Sequence, residues 1–142
     1  CWPIEKYLQI VERGLAETLP IQFIILDFNQ LFKRWETYSN CYNASQTTLR
    51  QMAALISEAD LFIGPDSGPM HLAGAVSTPS IVTFGSIPPE ARINFYPTHE
   101  GIRLDKLNCI GCWYKPCPYD TRCMKELDSI VIYNKMKRRL NV

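Results

Sequence analysis

A short apolar strand followed by a helix carries the residues best suited to bind an anion. Residues 61–63 (LFI) form the predicted strand, and the turn GPDSG at 64–68 leads into a helix of small residues over 69–76. The first turn of a helix exposes unpaired N–H groups and a partial positive charge, which suits a phosphate. Asp66 can accept hydrogen bonds from sugar hydroxyls, and Ser67 adds a hydroxyl donor. Nucleotide or sugar-phosphate binding is therefore one interpretation of this turn.

His71 lies three residues after Gly68, on the same face of the predicted helix. We expect it near a phosphate bound at the helix start. Helix capping is the competing interpretation: Asp66 can cap the helix, and His71 can be a half-buried histidine with its hydrogen bonds satisfied. The turn matches neither a Walker loop nor G-x-G-x-x-G, so spacing alone leaves both interpretations open.

Four cysteines form a second group that could do chemistry. They follow the pattern C-x2-C-x4-C-x5-C, at Cys109, Cys112, Cys117 and Cys123. Four thiolates this close in sequence favour a tetrahedral zinc or iron site, which would order the segment 105–124. Two disulfides, or four free thiols, are the alternatives. We predict that the aromatic residues of this finger, Trp113, Tyr114 and Tyr119, pack inside it.

The elements around these groups follow from hydrophobic periodicity. Helices are predicted at 3–15, 29–38, 48–56, 69–76 and from Asp128 onward, and strands at 21–26, 41–42, 61–63, 80–84 and 101–104. Alternating helices and buried strands predict an α/β fold, with a parallel sheet covered by helices on both faces. The irregular segments 86–99 and 105–124 are long enough to be functional or stapled.

Composition limits the function classes. The 142 residues are 46% apolar and 20% charged, enough for a single domain with a core. A net charge of +1 argues against a general nucleic-acid binder. No apolar run reaches the roughly 18–20 residues of a membrane span. The chain opens on Cys1 rather than Met and shows no secretory leader, so we expect it to be a piece of a longer protein.

The run from Ala59 to Ala75, with Thr78-Pro79 and Phe84-Gly85, resembles the signature of the ADP-heptose glycosyltransferases, glycosyltransferase family 9. These are heptosyltransferases of the lipopolysaccharide core and relatives that glycosylate bacterial proteins. Trp2-Pro3 and Thr48-Leu49 also match the second domain of that family. The resemblance implies a Rossmann-like domain, the C-terminal, donor-binding half of a GT-B enzyme, over residues 1–142.

What the resemblance implies for the site can be stated residue by residue. Ser67 and Gly68 would hold the donor's diphosphate, and Asp66 and His71 would face the sugar–phosphate region. The loop 43–48, with Thr47 and Thr48, would lie beside the nucleobase and ribose. The donor would be a nucleotide sugar, ADP-heptose by family type. Arg92 is a weaker candidate for donor contact, and no role is predicted for His99.

By the same resemblance, no catalytic residue lies in this chain. The general base and the acceptor site would belong to an N-terminal domain absent from these residues, so the chain alone would bind donor and catalyse nothing. The acceptor would be a lipid-linked saccharide or a protein. The four cysteines are similar to the finger of protein-directed heptosyltransferases, and this similarity favours iron as the metal.

The remaining predictions concern location and rival functions. The resemblance implies a cytoplasmic protein, and the basic last helix either complements its own C-terminus or touches the inner-membrane surface. One rival function is a metal-stapled interaction module with a vestigial nucleotide site. A nucleotide-sugar epimerase-like domain is the other. The enzyme hypothesis requires a response to nucleotide, and the interaction module does not.

Overall fold

The computed structural model describes residues 1–27 and 37–142, which form helices packed on parallel strands. The helices are α1 (Ile4–Ala16), α2 (Leu49–Ser57), α3 (Gly68–Ala75), α4 (Glu90–Ile93), α5 (Arg122–Lys125) and α6 (Ser129–Leu140). The strands are β1 (Phe23–Ile25), β2 (Cys41–Asn43), β3 (Phe62–Pro65), β4 (Ser80–Thr83) and β5 (His99–Ile102). The helix predicted over 29–38 falls mostly outside the described residues.

Every strand pair is parallel, which confirms the predicted α/β class. One ladder joins β1 to β2, and a second has the order β3-β4-β5. The centre of the second sheet is β4, whose four residues are all buried. Because the strands are parallel, the segments that follow β3, β4 and β5 emerge at the same edge. Within residues 1–27 and 37–142 the strands form two ladders instead of one continuous sheet, which periodicity did not indicate.

Helix α1 covers one face of both sheets. Its apolar residues recur at helical spacing, as predicted, and Pro3 stands at the N-cap. Leu8 and Val11 pack against β1 and β2, whereas Trp2 and Ile10 pack with Ile81 of β4 and with α6. The Trp2 Nε1–H also donates to the Leu127 carbonyl at 3.0 Å, fixing the start of α1 to the chain before α6.

Helices α2 and α3 cover the opposite face. The Thr48 side chain and Gln51 form the predicted capping box at the start of α2. Met52 and Ile56 of α2 pack with Ala73 of α3, and this cluster contacts both sheets. The four-residue helices α4 and α5 lie in the segments predicted to be irregular, and such short elements leave no periodic signal. None of the helices in the described part of the chain is long and apolar enough to cross a membrane.

Candidate functional site

The start of α3 faces open space at the edge where β3 and β4 end. The Asp66 N–H donates to the Thr83 carbonyl at 3.2 Å, so the ladder holds the chain as far as the middle of the turn. Met70 and Ala73 are fully buried and anchor the helix behind it. A Cβ added at Gly68 would meet no atom within 4 Å. A ligand can therefore approach the first turn directly.

The helix start carries no side-chain cap. Ser67 is the N-cap residue, but its hydroxyl donates to the Pro65 carbonyl at 3.1 Å. The alternative in which Asp66 caps the helix is therefore wrong in this structure. Gly64 makes room for a side chain rather than for a ligand, because a Cβ there would lie 2.6 Å from the Phe62 ring.

A cation stands beside the turn. The Arg92 Nε, on α4, lies 3.5 Å from the Asp66 Oδ2, and both side chains keep solvent access. An exposed pair at this distance contributes little to stability. Its significance is positional, because a guanidinium next to uncapped N–H groups is a favourable setting for phosphate oxygens. The sequence offered only proximity to β4 as a signal for Arg92.

His71 belongs to a chain of aromatic contacts. Its Nδ1 lies 3.2 Å from the Tyr96 hydroxyl, and the Tyr96 ring lies 5.0 Å from the His99 ring. The His99 Nε2 is 3.1 Å from the Met70 carbonyl, which can only accept, so this nitrogen carries a proton. His99 thus anchors the aromatic chain to α3, a structural contact that the sequence did not indicate.

The Tyr96 side chain packs against a glycine of α3. Its ring lies against Gly74, where an added Cβ would meet ring carbons at 2.5 Å. The position of the ring explains how Tyr96, which is 25 residues from His71 in sequence, reaches that histidine. Sequence reasoning missed Tyr96, since nothing local marks a tyrosine that crosses from a loop to a helix.

Thr47 and Thr48 lie in the loop after β2, and their hydroxyls form hydrogen bonds within that loop and with the first turn of α2. Thr47 donates to the Ala44 carbonyl at 3.0 Å, and Thr48 caps α2. The loop is tied to the end of β1, because the Asp27 N–H donates to Ser45 Oγ at 3.1 Å. No hydrogen bond between described residues joins this loop to the turn at Asp66.

The four cysteines of the finger are free thiols of intermediate exposure, and the structure contains no disulfide between them. Burial raises the pKa of Cys123, and charge interactions with Cys109, Cys117 and Cys112 raise it further. Cys123 itself lies against the end of β4, with its Sγ 3.5 Å from the Cβ position of Gly85. This end of the finger therefore meets the sheet edge.

Donor chemistry and geometry disagree in the finger. Four thiols are a suitable set for zinc or iron. However, no group of three or more His, Cys, Asp or Glu side chains within residues 1–27 and 37–142 is arranged to hold a metal ion. The prediction that the finger's aromatic residues are packed is wrong: Trp113 is 75% exposed, and Tyr114 and Tyr119 are also exposed.

The basic end of α6 is mostly paired within the chain. Lys135 and Arg139 both contact Glu100, and Lys137 contacts Glu17. Burial alone would raise the pKa of Glu100, but its hydrogen bonds and charge interactions with Lys135 and Arg139 outweigh burial and lower it. These cations hold α6 to β5 and α1, which favours a structural role over a membrane contact.

Comparisons with known proteins agree with this architecture. The model of glycosyltransferase family 9 (heptosyltransferase) matches residues 1–122. Lipopolysaccharide heptosyltransferase 3 of Escherichia coli is 33% identical over 93 residues, which are 61% of this chain and 27% of that protein. Lipooligosaccharide heptosyltransferase 2 of Campylobacter jejuni subsp. jejuni is 32% identical over 100 residues, 68% of this chain and 30% of that protein.

A solved structure shows the same fold. The structure of E. coli ADP-heptose lps heptosyltransferase II matches with a TM-score of 0.72 at 19% identity, over 98% of this chain and 41% of that one. The chain spans 41% of that solved structure but less than a third of the length of the two curated relatives described above. The family model covers most of the chain and includes the strand–turn–helix site. This chain belongs to glycosyltransferase family 9, the heptosyltransferase family.

Proposed function

We propose that this chain is the C-terminal, donor-binding part of a glycosyltransferase that transfers heptose from ADP-heptose to a lipopolysaccharide-core or protein acceptor. Family membership supports the transferase class, and the relatives' names support the sugar. The general base and the acceptor site belong to an N-terminal domain outside these residues. The proposed enzyme is cytoplasmic, in keeping with a nucleotide-sugar donor.

The observation that carries the proposal is the uncapped start of α3 beside Arg92. Pro69 has no N–H, and the Met70 N–H donates to the Ser67 carbonyl at 3.1 Å, so the Ser67 and Gly68 N–H groups are the ones that donate to no described residue. Together with the open space above Gly68 and the guanidinium next to Asp66, they favour an anion with an attached sugar. In this arrangement the diphosphate lies on Ser67 and Gly68. The Asp66 carboxylate accepts hydrogen bonds from the sugar. His71, oriented by Tyr96, lies on the same side of α3.

The transfer step divides between two parts of the protein. An acceptor hydroxyl attacks the anomeric carbon, the bond from that carbon to the diphosphate oxygen breaks, and the nucleoside diphosphate leaves with the electron pair. The proton of the hydroxyl passes to the base of the N-terminal domain. The contribution of this chain is electrostatic, because its N–H groups and Arg92 stabilise the negative charge growing on the leaving phosphate.

Thermal unfolding with ADP, UDP, GDP or no ligand tests donor binding. A ligand at 100 times its Kd stabilises the folded chain by about 2.7 kcal/mol, several degrees in Tm. We expect a shift with ADP that Ser67→Ala and Asp66→Ala weaken. Ser57→Ala and Asp60→Ala are matched controls, since Ser57 lies on the exposed side of α2 and Asp60 precedes the opposite end of β3.

Two results would contradict the donor site. One is no shift with any diphosphate at millimolar concentration, both in this chain and in a longer protein that includes the N-terminal domain. The other is an equal loss of the shift in the control variants. Either result would favour the interaction module, for which the exposed aromatic residues of the finger are the supporting observation. Family membership leaves the epimerase-like alternative without support.

We also propose that Cys109, Cys112, Cys117 and Cys123 bind one iron or zinc ion with a structural role. The donor set supports it, and binding requires the four thiols to converge from the positions seen here. Metal analysis of protein purified without chelator should find about one ion per chain. Cys117→Ser should lose that ion, whereas Cys41→Ser, outside the finger, should keep it. Equal metal content in both variants would contradict the site.

A further inference from the structure

The tip of the cysteine finger is an exposed aromatic surface. Trp113 is 75% exposed, Tyr114 is 62% exposed and Tyr119 is 47% exposed. The two tyrosine rings contact each other edge to face, with their centroids 6.5 Å apart. In the described part of the chain, none of the three side chains packs against a hydrophobic core cluster. A contiguous aromatic patch left in water is typical of a surface that binds something else.

Two lysines accompany these rings. Lys106 and Lys115 are exposed, and neither forms an ion pair with any residue that the structure describes. The sequence from 106 to 119 contains no Asp or Glu. At the base of the finger, by contrast, Lys125 is paired with Asp120. The tip therefore presents two cations whose charge no neighbouring carboxylate offsets, which complements a negatively charged partner.

The residue types favour a lipid surface over a protein partner. Protein–protein interfaces are enriched in aromatic residues but depleted of lysine. Tryptophan and tyrosine together with lysine are typical of the boundary between a membrane and water, where the rings lie among the headgroups. Lysine can lay its apolar stem along the lipid while its ammonium group contacts phosphate. The aromatic tip, defined here as Trp113, Tyr114 and Tyr119 with Lys106 and Lys115, has this composition.

Both ends of the finger lie at the edge of the sheet that carries the candidate donor site. The Ile102 carbonyl, at the end of β5, accepts from the Phe84 N–H at 2.8 Å, so the chain enters the finger from the edge where β4 and β5 end. At the other end of the finger, Cys123 lies against Gly85. Strand β3 runs parallel to β4, so the turn that begins α3 lies at the same edge.

We propose that the aromatic tip docks on the surface of a lipid bilayer that contains anionic lipids. The rings enter the headgroup region, and the two lysines contact lipid phosphates. The contact is peripheral, since none of the helices in residues 1–27 and 37–142 could span a bilayer. The finger suits this role better than the basic end of α6, where Lys135, Lys137 and Arg139 are already paired with glutamates.

Docking through the finger has a consequence for the acceptor. Since the finger leaves the same edge as the turn at Asp66, docking holds that edge towards the membrane. A saccharide acceptor with a lipid anchor lies at that surface, so donor and acceptor meet there. This consequence rests on the proposed function and favours a lipid-linked acceptor over a protein. The docking surface itself does not depend on donor binding, and the two can be tested separately.

Sedimentation with lipid vesicles tests the docking surface. The 142-residue chain is mixed with vesicles of phosphatidylcholine and phosphatidylglycerol, or of phosphatidylcholine alone, and the pelleted fraction gives a partition coefficient. We expect binding to the mixed vesicles that added salt weakens, because salt screens the lysines. Lys106→Gln and Lys115→Gln should each lower the partition coefficient about fivefold, the effect of one cation at an anionic surface. Trp113→Ala should lower it at least about tenfold, because apolar contact with lipid is lost.

Two control variants match these changes. Phe95→Ala removes an aromatic side chain that is 88% exposed but lies between α4 and β5, and Arg138→Gln removes an exposed cation of α6. Both should bind vesicles as the parent does. A second measurement locates the ring: lipids brominated in their acyl chains should quench tryptophan fluorescence in the parent, and Trp113→Phe should lose that quenching.

The possible results separate the docking surface from the donor site. A chain whose Tm rises with ADP but that never pellets with vesicles would overturn docking alone, whereas vesicle binding without an ADP response would overturn the donor site alone. Equal losses in Trp113→Ala and Phe95→Ala would also overturn docking, and a loss confined to Arg138→Gln would assign the contact to α6. Self-association that grows with concentration and requires Trp113, without vesicle binding, would make a second copy of the chain the partner and overturn the lipid surface.

Discussion

The strand–turn–helix at Asp66 and the four-cysteine finger are both short segments with chemically distinctive side chains, but they are held in different ways. The first follows a strand bonded to β4, and its helix is anchored by fully buried Met70 and Ala73. The finger, 105–124, has helical residues only at its end, and it meets the body of the protein through Cys123 and buried Met124. Its tip carries Trp113, which is 75% exposed.

The difference shows where order comes from in each region. At the turn, packing and the sheet fix the backbone before any ligand arrives. In the finger, few buried contacts oppose chain entropy, so a metal would supply much of the order. Perturbations should therefore separate the two regions: core changes should destroy the first, and cysteine changes should affect only the second.

The largest effect should come from the anchor of the turn. Met70→Ala removes a fully buried side chain and should lower the free energy of unfolding by about 2–5 kcal/mol. Urea denaturation measures it. Leu49→Ala is the control, since Leu49 is 66% exposed and its loss should cost less than about 0.5 kcal/mol. Equal losses would mean that packing does not anchor this helix.

A smaller effect, on ADP affinity, is expected from the contact between Tyr96 and His71. Tyr96→Phe removes the hydroxyl that lies 3.2 Å from His71 Nδ1 and keeps the ring against Gly74. Because a hydrogen bond contributes about 0.5–1.5 kcal/mol, ADP should bind about 2- to 13-fold more weakly in calorimetry. Tyr42→Phe, an exposed tyrosine on β2, should bind as the parent does. An unchanged Kd in Tyr96→Phe would remove Tyr96 from the site.

We expect the ion pairs between α6 and β5 to contribute about 1 kcal/mol or less to the free energy of unfolding, and this contribution should depend on pH. The ion pairs that lower the pKa of Glu100 below 4.5 stabilise the fold above that pH, and this stability is lost as the pH falls through the folded-state value. Glu100→Gln should therefore have a lower Tm than the parent at pH 7, and the difference should shrink as the pH falls below 4.5. Glu126→Gln, which loses only an exposed pair with Arg122, should show a weaker trend. A parallel pair of Tm curves for Glu100→Gln and the parent would contradict this.

The smallest effect on the body of the protein should come from the finger. Cys117→Ser should leave the exchange of β3, α3 and β4 amides unchanged and accelerate exchange within 105–124 alone, because few contacts join the two regions. Hydrogen exchange with mass spectrometry measures both at once. Accelerated exchange at Met70 would show that the finger supports the site, and the contrast between the regions would disappear.

Local signals in the sequence predicted what local forces hold. The apolar stripe of α1, the capping box at Thr48 and the alternation of helices and strands were confirmed because each depends on neighbours within a few residues. The pairing of Asp66 with Arg92 and the contact of His99 with Met70 were not predictable, since each joins residues more than 20 positions apart. The exposed aromatic tip of the finger was misjudged because hydrophobic residues predict burial only on average.

The segment between β4 and β5 carries both Arg92 and Tyr96, which reach opposite ends of α3. Both contacts depend on the number of residues that separate these two side chains. Inserting or deleting one residue between them would break the alignment of at least one contact, whereas a change of length at the tip of the finger would disturb neither. Over evolutionary time, we therefore expect the β4–β5 connection to vary in residue type but keep its length, and the finger to be where insertions accumulate.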